Sequence, residues 1–178
     1  MTAWVALLRG VNIGGHHKLP MAKLRRVLAE LGFEDVATYI QSGNAVFRSG
    51  GAAEAIGDAI GEAIAARFGF RPHVFVLRAD ALHSALARNP FMAEAEADGR
   101  KVHFLFLADA LPPGTVEALN AVAGQGESAR LEGNVLYLHT PEGFGRSALA
   151  RAATRLKLPM TGRNARSVAE ISAIARGL

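Results

Sequence analysis

Arg9-Gly10-Val11-Asn12-Ile13-Gly14-Gly15 places a guanidinium, a carboxamide and three glycines within seven residues. Glycine lets the backbone adopt positive φ and approach a ligand closely. Free N–H groups at turns and helix starts attract negative charge. A strand-to-helix turn of this composition can cradle an anion. It matches neither G-x-x-x-x-G-K-[ST] nor G-x-G-x-x-G, so no nucleotide-binding class follows from it. A second polar stretch, Gln41-Ser42-Gly43-Asn44, adds amides and a hydroxyl. The candidate ligand-binding set is Arg9, Gly10, Asn12, Gly14, Gly15, Gln41, Ser42 and Asn44. It suits a phosphate, a carboxylate or a nucleotide edge. The same residues also suit plain loop architecture. Ser42-Gly43 is good hairpin chemistry, and an asparagine such as Asn12 can satisfy loop backbone by itself.

Other candidates carry weaker signals. Arg163 and Asn164 lead with Arg166 into a last helix, where Asn164 or Ser167 suits a cap and the arginines add positive charge. His16-His17 is a poor metal signal, because adjacent side chains on an extended chain point apart; both read as solvated loop histidines. His103 and His139 are candidates to pair across a sheet, but two imidazoles make a poor zinc site. The chain has no cysteine, which removes disulfides, thiolate metal sites and cysteine nucleophiles. No metal and no cofactor are expected. Neither G-x-S-x-G nor H-E-x-x-H occurs, and no general acid–base pair is visible. Catalytic residues are therefore unassigned, and an enzymatic role stays open.

The elements that must position these residues follow from periodicity. An apolar strand at 3–8 precedes the glycine loop, and Pro20 opens a helix over 20–31 with Met21, Leu24, Val27, Leu28 and Leu31 on one face. Strands at 36–41 and 44–48 flank Ser42-Gly43, a helix spans 53–68, and a strand follows at 72–77. The order is βαββαβ. The second half repeats it with a strand at 102–108, a helix at 113–122, a hairpin of 128–131 and 134–139, a helix at 146–158 and a short strand at 159–161. A helix at 80–88 and a polar loop from Asn89 to Gly99 link the halves, and a closing helix starts at Ser167 with Ser167 and Glu170 as a capping box. The expected domains are a first half over 1–78, a link over 79–101 and a second half over 102–178. In a βαββαβ sheet ordered 4-1-3-2, the end of the first strand lies beside the start of the third. The glycine loop and the Gln41–Asn44 turn should then share one sheet edge.

At 178 residues, half of them hydrophobic and 20% charged, the composition is that of a soluble globular protein. The charge is uneven: residues 1–29 hold five Lys/Arg and no acid, residues 30–129 seven bases and thirteen acids, and residues 130–178 eight bases and three acids. Basic ends fit a small anionic ligand or nucleic acid as partner, or simply solvated helix faces. Lys18, Lys23, Arg25 and Arg26 would extend a basic surface around the glycine loop. The aromatics fall mostly on apolar strands, apart from the basic residues, which disfavours a stacking platform for single strands. No apolar run approaches the roughly 20 residues of a membrane span, and the N-terminus lacks a basic signal-peptide region. No membrane partner is expected. The lack of cysteine fits a cytoplasmic location, and self-association into a homo-oligomer is left open.

Arg9-Gly-Val-Asn-Ile-Gly-Gly15, Tyr39-Ile-Gln-Ser-Gly-Asn44 and the late Arg163-Asn164 resemble the bacterial family catalogued as domain of unknown function 1697. The Asn89-Pro90-Phe91 tripeptide and the chain length are also similar. The resemblance implies two ferredoxin-like βαββαβ halves and carries no substrate. The expected fold class is thus α+β, with two antiparallel sheets, a linking helix and a C-terminal helix. Members of the family commonly have tryptophan after the late Arg-Asn pair, where this chain has Ala165.

Overall fold

Trp4, Val5, Ala6, Leu7 and Leu8 are all buried, so the first strand reads as a continuous apolar run because both of its faces are covered. In the computed structural model, which describes residues 1–178, this strand is β1 (Thr2–Arg9). It pairs antiparallel with β3 (Asn44–Ser49) on one side and β4 (His73–Arg78) on the other. The edge strand β2 (Glu34–Tyr39) completes the order β2-β3-β1-β4, the arrangement expected of a βαββαβ unit.

Two helices cover one face of this sheet. Helix α1 (Met21–Glu30) buries Met21, Leu24, Val27 and Leu28. It ends where Gly32 takes φ +81°, with Gly32 N–H donating to Ala29 O and Phe33 N–H to Leu28 O. Phe33 then stacks on Phe47 of β3 at 4.6 Å. Helix α2 (Ala53–Phe68) buries Ile56, Ile60 and Ile64 and closes on Gly69 at φ +76°. Their apolar faces share one core with Trp4, Ala6, Leu8, Ala45 and Phe47.

The chain forms two compact units, Met1–His83 with Glu170–Leu178, and Ser84–Ala169. The second contains β5 (Val102–Leu107), β6 (Ser128–Glu132), β7 (Val135–His139) and β8 (Met160–Asn164), in the equivalent order β6-β7-β5-β8. Leu105, Leu107, Leu136 and Leu138 form its core with Leu119 of α5 (Thr115–Ala121) and with Leu149 and Ala153 of α6 (Ala148–Thr154). Two further helices, α3 (Ala79–Ala87) and α7 (Ala165–Arg176), precede and follow these strands. The expected α+β class with two antiparallel sheets is the observed one. No helix is long and apolar enough to cross a membrane.

Several boundaries differ from the sequence expectation. The stretch expected as a loop at 89–99 contains a helix, α4 (Met92–Asp98). Its residues are mostly Ala and Glu, good helix formers whose charge mimicked a linker. Asn89 Oδ1 accepts from Phe91 N–H at 3.0 Å, and the buried Phe91 anchors the start. The helix expected at 146–158 is shorter, because Ser147 caps it by accepting from Ala150 N–H at 2.9 Å. At the C-terminal helix the Ser167–Glu170 capping box does not form. Asn164 Oδ1 takes the cap instead, accepting from Ser167 N–H at 2.8 Å, and β8 runs on to reach it.

Gly43 and Gly69 both lie at φ +76°, but a Cβ on Gly43 would fall 2.6 Å from Val11 Cγ2, whereas on Gly69 it would meet nothing within 4 Å. Gly69→Ala should cost about 1–2 kcal/mol from backbone strain alone. Gly43→Ala should lose a further ~1–3 kcal/mol from overpacking. Urea denaturation of the two variants side by side measures the difference, and equal losses would refute the close approach.

Candidate functional site

The turn after β1 is held in a conformation that few side chains tolerate. Gly10, Gly14 and Gly15 have φ of +79°, +58° and +80°. A Cβ on Gly10 or Gly15 would touch nothing within 4 Å, so backbone conformation rather than crowding calls for glycine there. Asn12 is also left-handed, at φ +55°, which asparagine accepts better than most residues. Its side chain fastens the loop. Oδ1 accepts from Leu19 N–H at 2.8 Å, and Nδ2 donates to Leu19 O at 2.9 Å and to Gln41 O at 2.7 Å. Its own backbone N–H donates to His17 O at 3.1 Å. His16 N–H donates to Ile13 O at 3.0 Å, closing a tight turn with Gly14 and Gly15 at the exposed tip.

The β2–β3 turn lies directly alongside. Leu8 N–H donates to Gly43 O at 2.8 Å. The Asn44 side chain is fully buried, and its Nδ2 donates to Tyr39 O at 3.0 Å and to Ser42 Oγ at 2.9 Å. The bonds from Leu8 to Gly43 and from Asn12 to Gln41 join the glycine loop to the hairpin turn. Arg9, Gln41 and Ser42 are all exposed on this shared edge, and the Arg9 guanidinium has neither a hydrogen bond nor an ion pair.

All eight residues expected to form the site thus lie in these two adjoining turns or at the strand ends that flank them, but they divide by role. Asn12 and Asn44 direct their amides to the protein itself. Arg9, Gln41 and Ser42 face solvent. Arg163 and Asn164 belong to the second unit. Arg163 Nη1 donates to Thr161 Oγ1 at 3.0 Å and to Gly162 O at 2.8 Å, and burial pushes its guanidinium down to about 10. It remains cationic at neutral pH. No group of three or more His, Cys, Asp or Glu is placed to hold a metal ion.

A family model described as protein of unknown function, DUF1697, matches residues 1–137. The chain belongs to the DUF1697 family. A solved structure described as a conserved bacterial protein from Streptococcus pneumoniae is 25% identical, with a TM-score of 0.77, and the match covers 98% of this chain and 98% of that one. A comparison with curated proteins returns no match.

For this DUF1697 member, three features of the site region were not legible in the sequence. His17 is an exposed loop histidine, but its ring also stacks on Phe70 at 4.5 Å, and its Nδ1 lies 3.1 Å from Gly10 O. Ile40, at φ +45°, is a β-branched residue in left-handed backbone. Ile40 and Ile13 are 52% and 67% exposed, so two apolar side chains border the polar edge. No sequence signal marks any of these, since each depends on the path of the loop. Elsewhere, Ala165 is buried at the start of α7, so an indole at this position would displace its neighbours. His103 and His139 do not pair. The register sets His103 opposite Leu138 and Val102 opposite His139, which sends the two rings to opposite faces. His103 meets Phe144 at 4.4 Å and His139 meets Phe91 at 5.8 Å.

Removing the Asn12 amide deletes three hydrogen bonds at once. Asn12→Ala should lose about 2–3 kcal/mol of stability in urea denaturation, at roughly 1 kcal/mol per bond. A loss below a few tenths of that would show that the loop closes without the amide. Burial pushes His103 down to about 4 from its ordinary 6.5. Between these values the unfolded chain binds a proton that the folded one refuses, so stability falls as pH drops from about 6.5 towards 4. Denaturation midpoints across that window should decline less steeply in His103→Gln than in wild type.

Proposed function

We propose that the glycine loop and the adjoining hairpin turn bind an anionic ligand bearing a phosphate or carboxylate. Arg9 supplies the charge, exposed Gln41 and Ser42 supply hydrogen bonds, and the amides of the Gly10, Gly14 and Gly15 turn line the approach. Asn12 and Asn44 act one step back, by fixing the two loops against each other. The observation that carries this reading is Arg9 itself, an exposed and unpaired guanidinium on an edge with hydroxyl and amide neighbours. A guanidinium fork suits a carboxylate or phosphate better than a point charge does. Arg163 and Asn164 are further candidates, the first for its charge. The ferredoxin-like fold adds nothing to the choice of ligand, because it hosts many unrelated functions.

A thermal-shift panel at low salt tests the proposal, with inorganic phosphate, sugar phosphates, nucleotides and small carboxylates against wild type and Arg9→Ala. A ligand at 100 times its dissociation constant stabilises the folded state by about 2.7 kcal/mol. At least one anion should raise the wild-type midpoint and leave that of Arg9→Ala unmoved. Equal shifts in both proteins would remove Arg9 from the site, and a flat panel would count against anion binding.

A second reading, a protein-interaction module, rests on Ile13 and Ile40, whose exposure borders the same edge. Backbone strain at such a position costs about 1–3 kcal/mol. Ile40→Asn should therefore raise the stability of the isolated chain by about 1 kcal/mol while weakening any partner contact. Light scattering across a concentration series, with wild type and Ile13→Ser/Ile40→Asn, would reveal self-association through this patch as a mass difference.

A further inference from the structure

A groove of about 440 Å³ runs between α1 and α2, lined by Lys23, Arg26, Val27, Glu30, Arg67 and Phe68. Its charges are unbalanced. Arg26 and Arg67 both bind one carboxylate, Glu30. Lys23 has no ion pair, and its Nζ lies 5.9 Å from the centre of the Phe68 ring. Three cations thus share one acid. Arg71, near the same end of α2, makes the contrast: it is matched by both Asp58 and Glu62. The arginine next to Glu30, Arg67, holds that carboxyl below its usual range together with Arg26, so Glu30 stays ionised and paired with both guanidinium groups.

The fold also does what the order of residues along the chain does not. Phe68 ends α2 and Phe70 follows it, far in sequence from the basic residues of the glycine loop and α1. In space Lys23 covers Phe68, and His17 stacks flat on Phe70, at 13° between ring planes. Aromatic and basic groups are interleaved along this end of the first unit. An excess of cations beside a ring is the pairing that takes a phosphate together with a base, because cations track the phosphates and every base has a π-face to stack.

We propose that the α1–α2 groove binds a nucleotide phosphate, with the phosphate on Arg26, Arg67 and Lys23 and the base against Phe68. Phosphate joined to a flat base is the unit common to a free nucleotide and a single strand. The flexible Lys23 side chain moves from the ring to the phosphate as the base takes its place. This groove is separate from the Arg9 edge and does not depend on the function proposed there.

The test is fluorescence anisotropy of a 5′-labelled decathymidylate with the full chain at low salt, with thymidine monophosphate and inorganic phosphate as competitors. Two to three phosphate contacts predict a log–log salt slope of about −2, at about −0.7 per contact on single strands. Lys23→Glu/Arg67→Glu should weaken binding at least about tenfold and flatten that slope. Lys23→Gln/Arg67→Gln gives a smaller loss, and circular dichroism checks that both doubles remain folded. Arg71→Glu should bind as wild type does. Phe68→Leu should weaken the oligonucleotide but not the competition by inorganic phosphate. Competition by the monophosphate points to a free nucleotide as the source, and binding of the oligomer alone points to a strand; either supports the groove. Absence of binding by both nucleotide probes overturns the proposal, as does binding that the double variants leave intact. Loss of binding in Arg9→Ala alone overturns it too, and transfers the ligand to the glycine loop.

Discussion

One carboxamide holds the candidate site in place. Asn12 bridges the two ends of its own loop through Leu19 and reaches across to the carbonyl of Gln41. Beside that reach, the turn after β1 and the turn between β2 and β3 are joined by the Leu8–Gly43 bond and by packing on Gly43. Sheet pairing sets the two turns side by side, but it does not set their shape. The shape comes from a side chain that presents two donors and one acceptor to backbone groups with no partner of their own. This explains why the polar residues divide into two kinds. Those that build the edge, Asn12 and Asn44, are partly or fully buried. Those that decorate it, Arg9, Gln41 and Ser42, are exposed.

The same fastening concentrates strain. Asn12, His17 and Ile40 all have positive φ, in company with Gly10, Gly14, Gly15 and Gly43. Single residues at positive φ are unremarkable when glycine or asparagine supplies them. A β-branched residue there is different, since it gains nothing from the conformation and its side chain is left in solvent. Such strain persists only where surrounding structure over-determines it, and it is found most often at sites that act on something else. Ile40 lies between the last residue of β2 and Gln41, so the strained residue adjoins the polar group that Asn12 fixes. Rigid loops with exposed side chains lose little entropy when they bind.

The fold was legible because it rests on periodic burial. The i, i+4 series Ile56, Ile60, Ile64 and the glycine stops at Gly32 and Gly69 each carry their own physical signal. The strand order then followed from right-handed crossovers, and with it the adjacency of Leu8 and Gly43. Errors fell where local composition conflicted with context. The Ala/Glu run of α4 looked like linker because its charge was visible while the anchor Phe91 was not. The cap of α7 moved to Asn164 because two residues offered cap chemistry and only the path of β8 decides between them. At the candidate site the adjacency of the two turns was legible, but which of their polar groups the protein itself engages was not. An asparagine that binds a ligand and one that binds its own backbone are the same letter. The basic groove was hidden for a related reason: Lys23 and Arg26 come from α1, and Arg67 and Phe68 from α2, some forty residues further along the chain.

The second unit separates what the topology supplies from what the loop sequence adds. Its sheet has the equivalent strand order, and the end of its central strand meets its hairpin turn in the same way, with Leu107 N–H donating to Asn134 O at 2.9 Å where Leu8 N–H donates to Gly43 O at 2.8 Å. Yet the segment after β5, Ala108-Asp109-Ala110-Leu111-Pro112-Pro113, carries no cation and no asparagine. Paired prolines stiffen it, and its single charge is negative. An anion would meet repulsion there rather than a guanidinium. The β-strand register therefore provides the edge in both halves, and only the first half equips it. Arg9, Asn12 and the glycines between the strand and the helix are what the first unit adds to a scaffold that its twin carries without them.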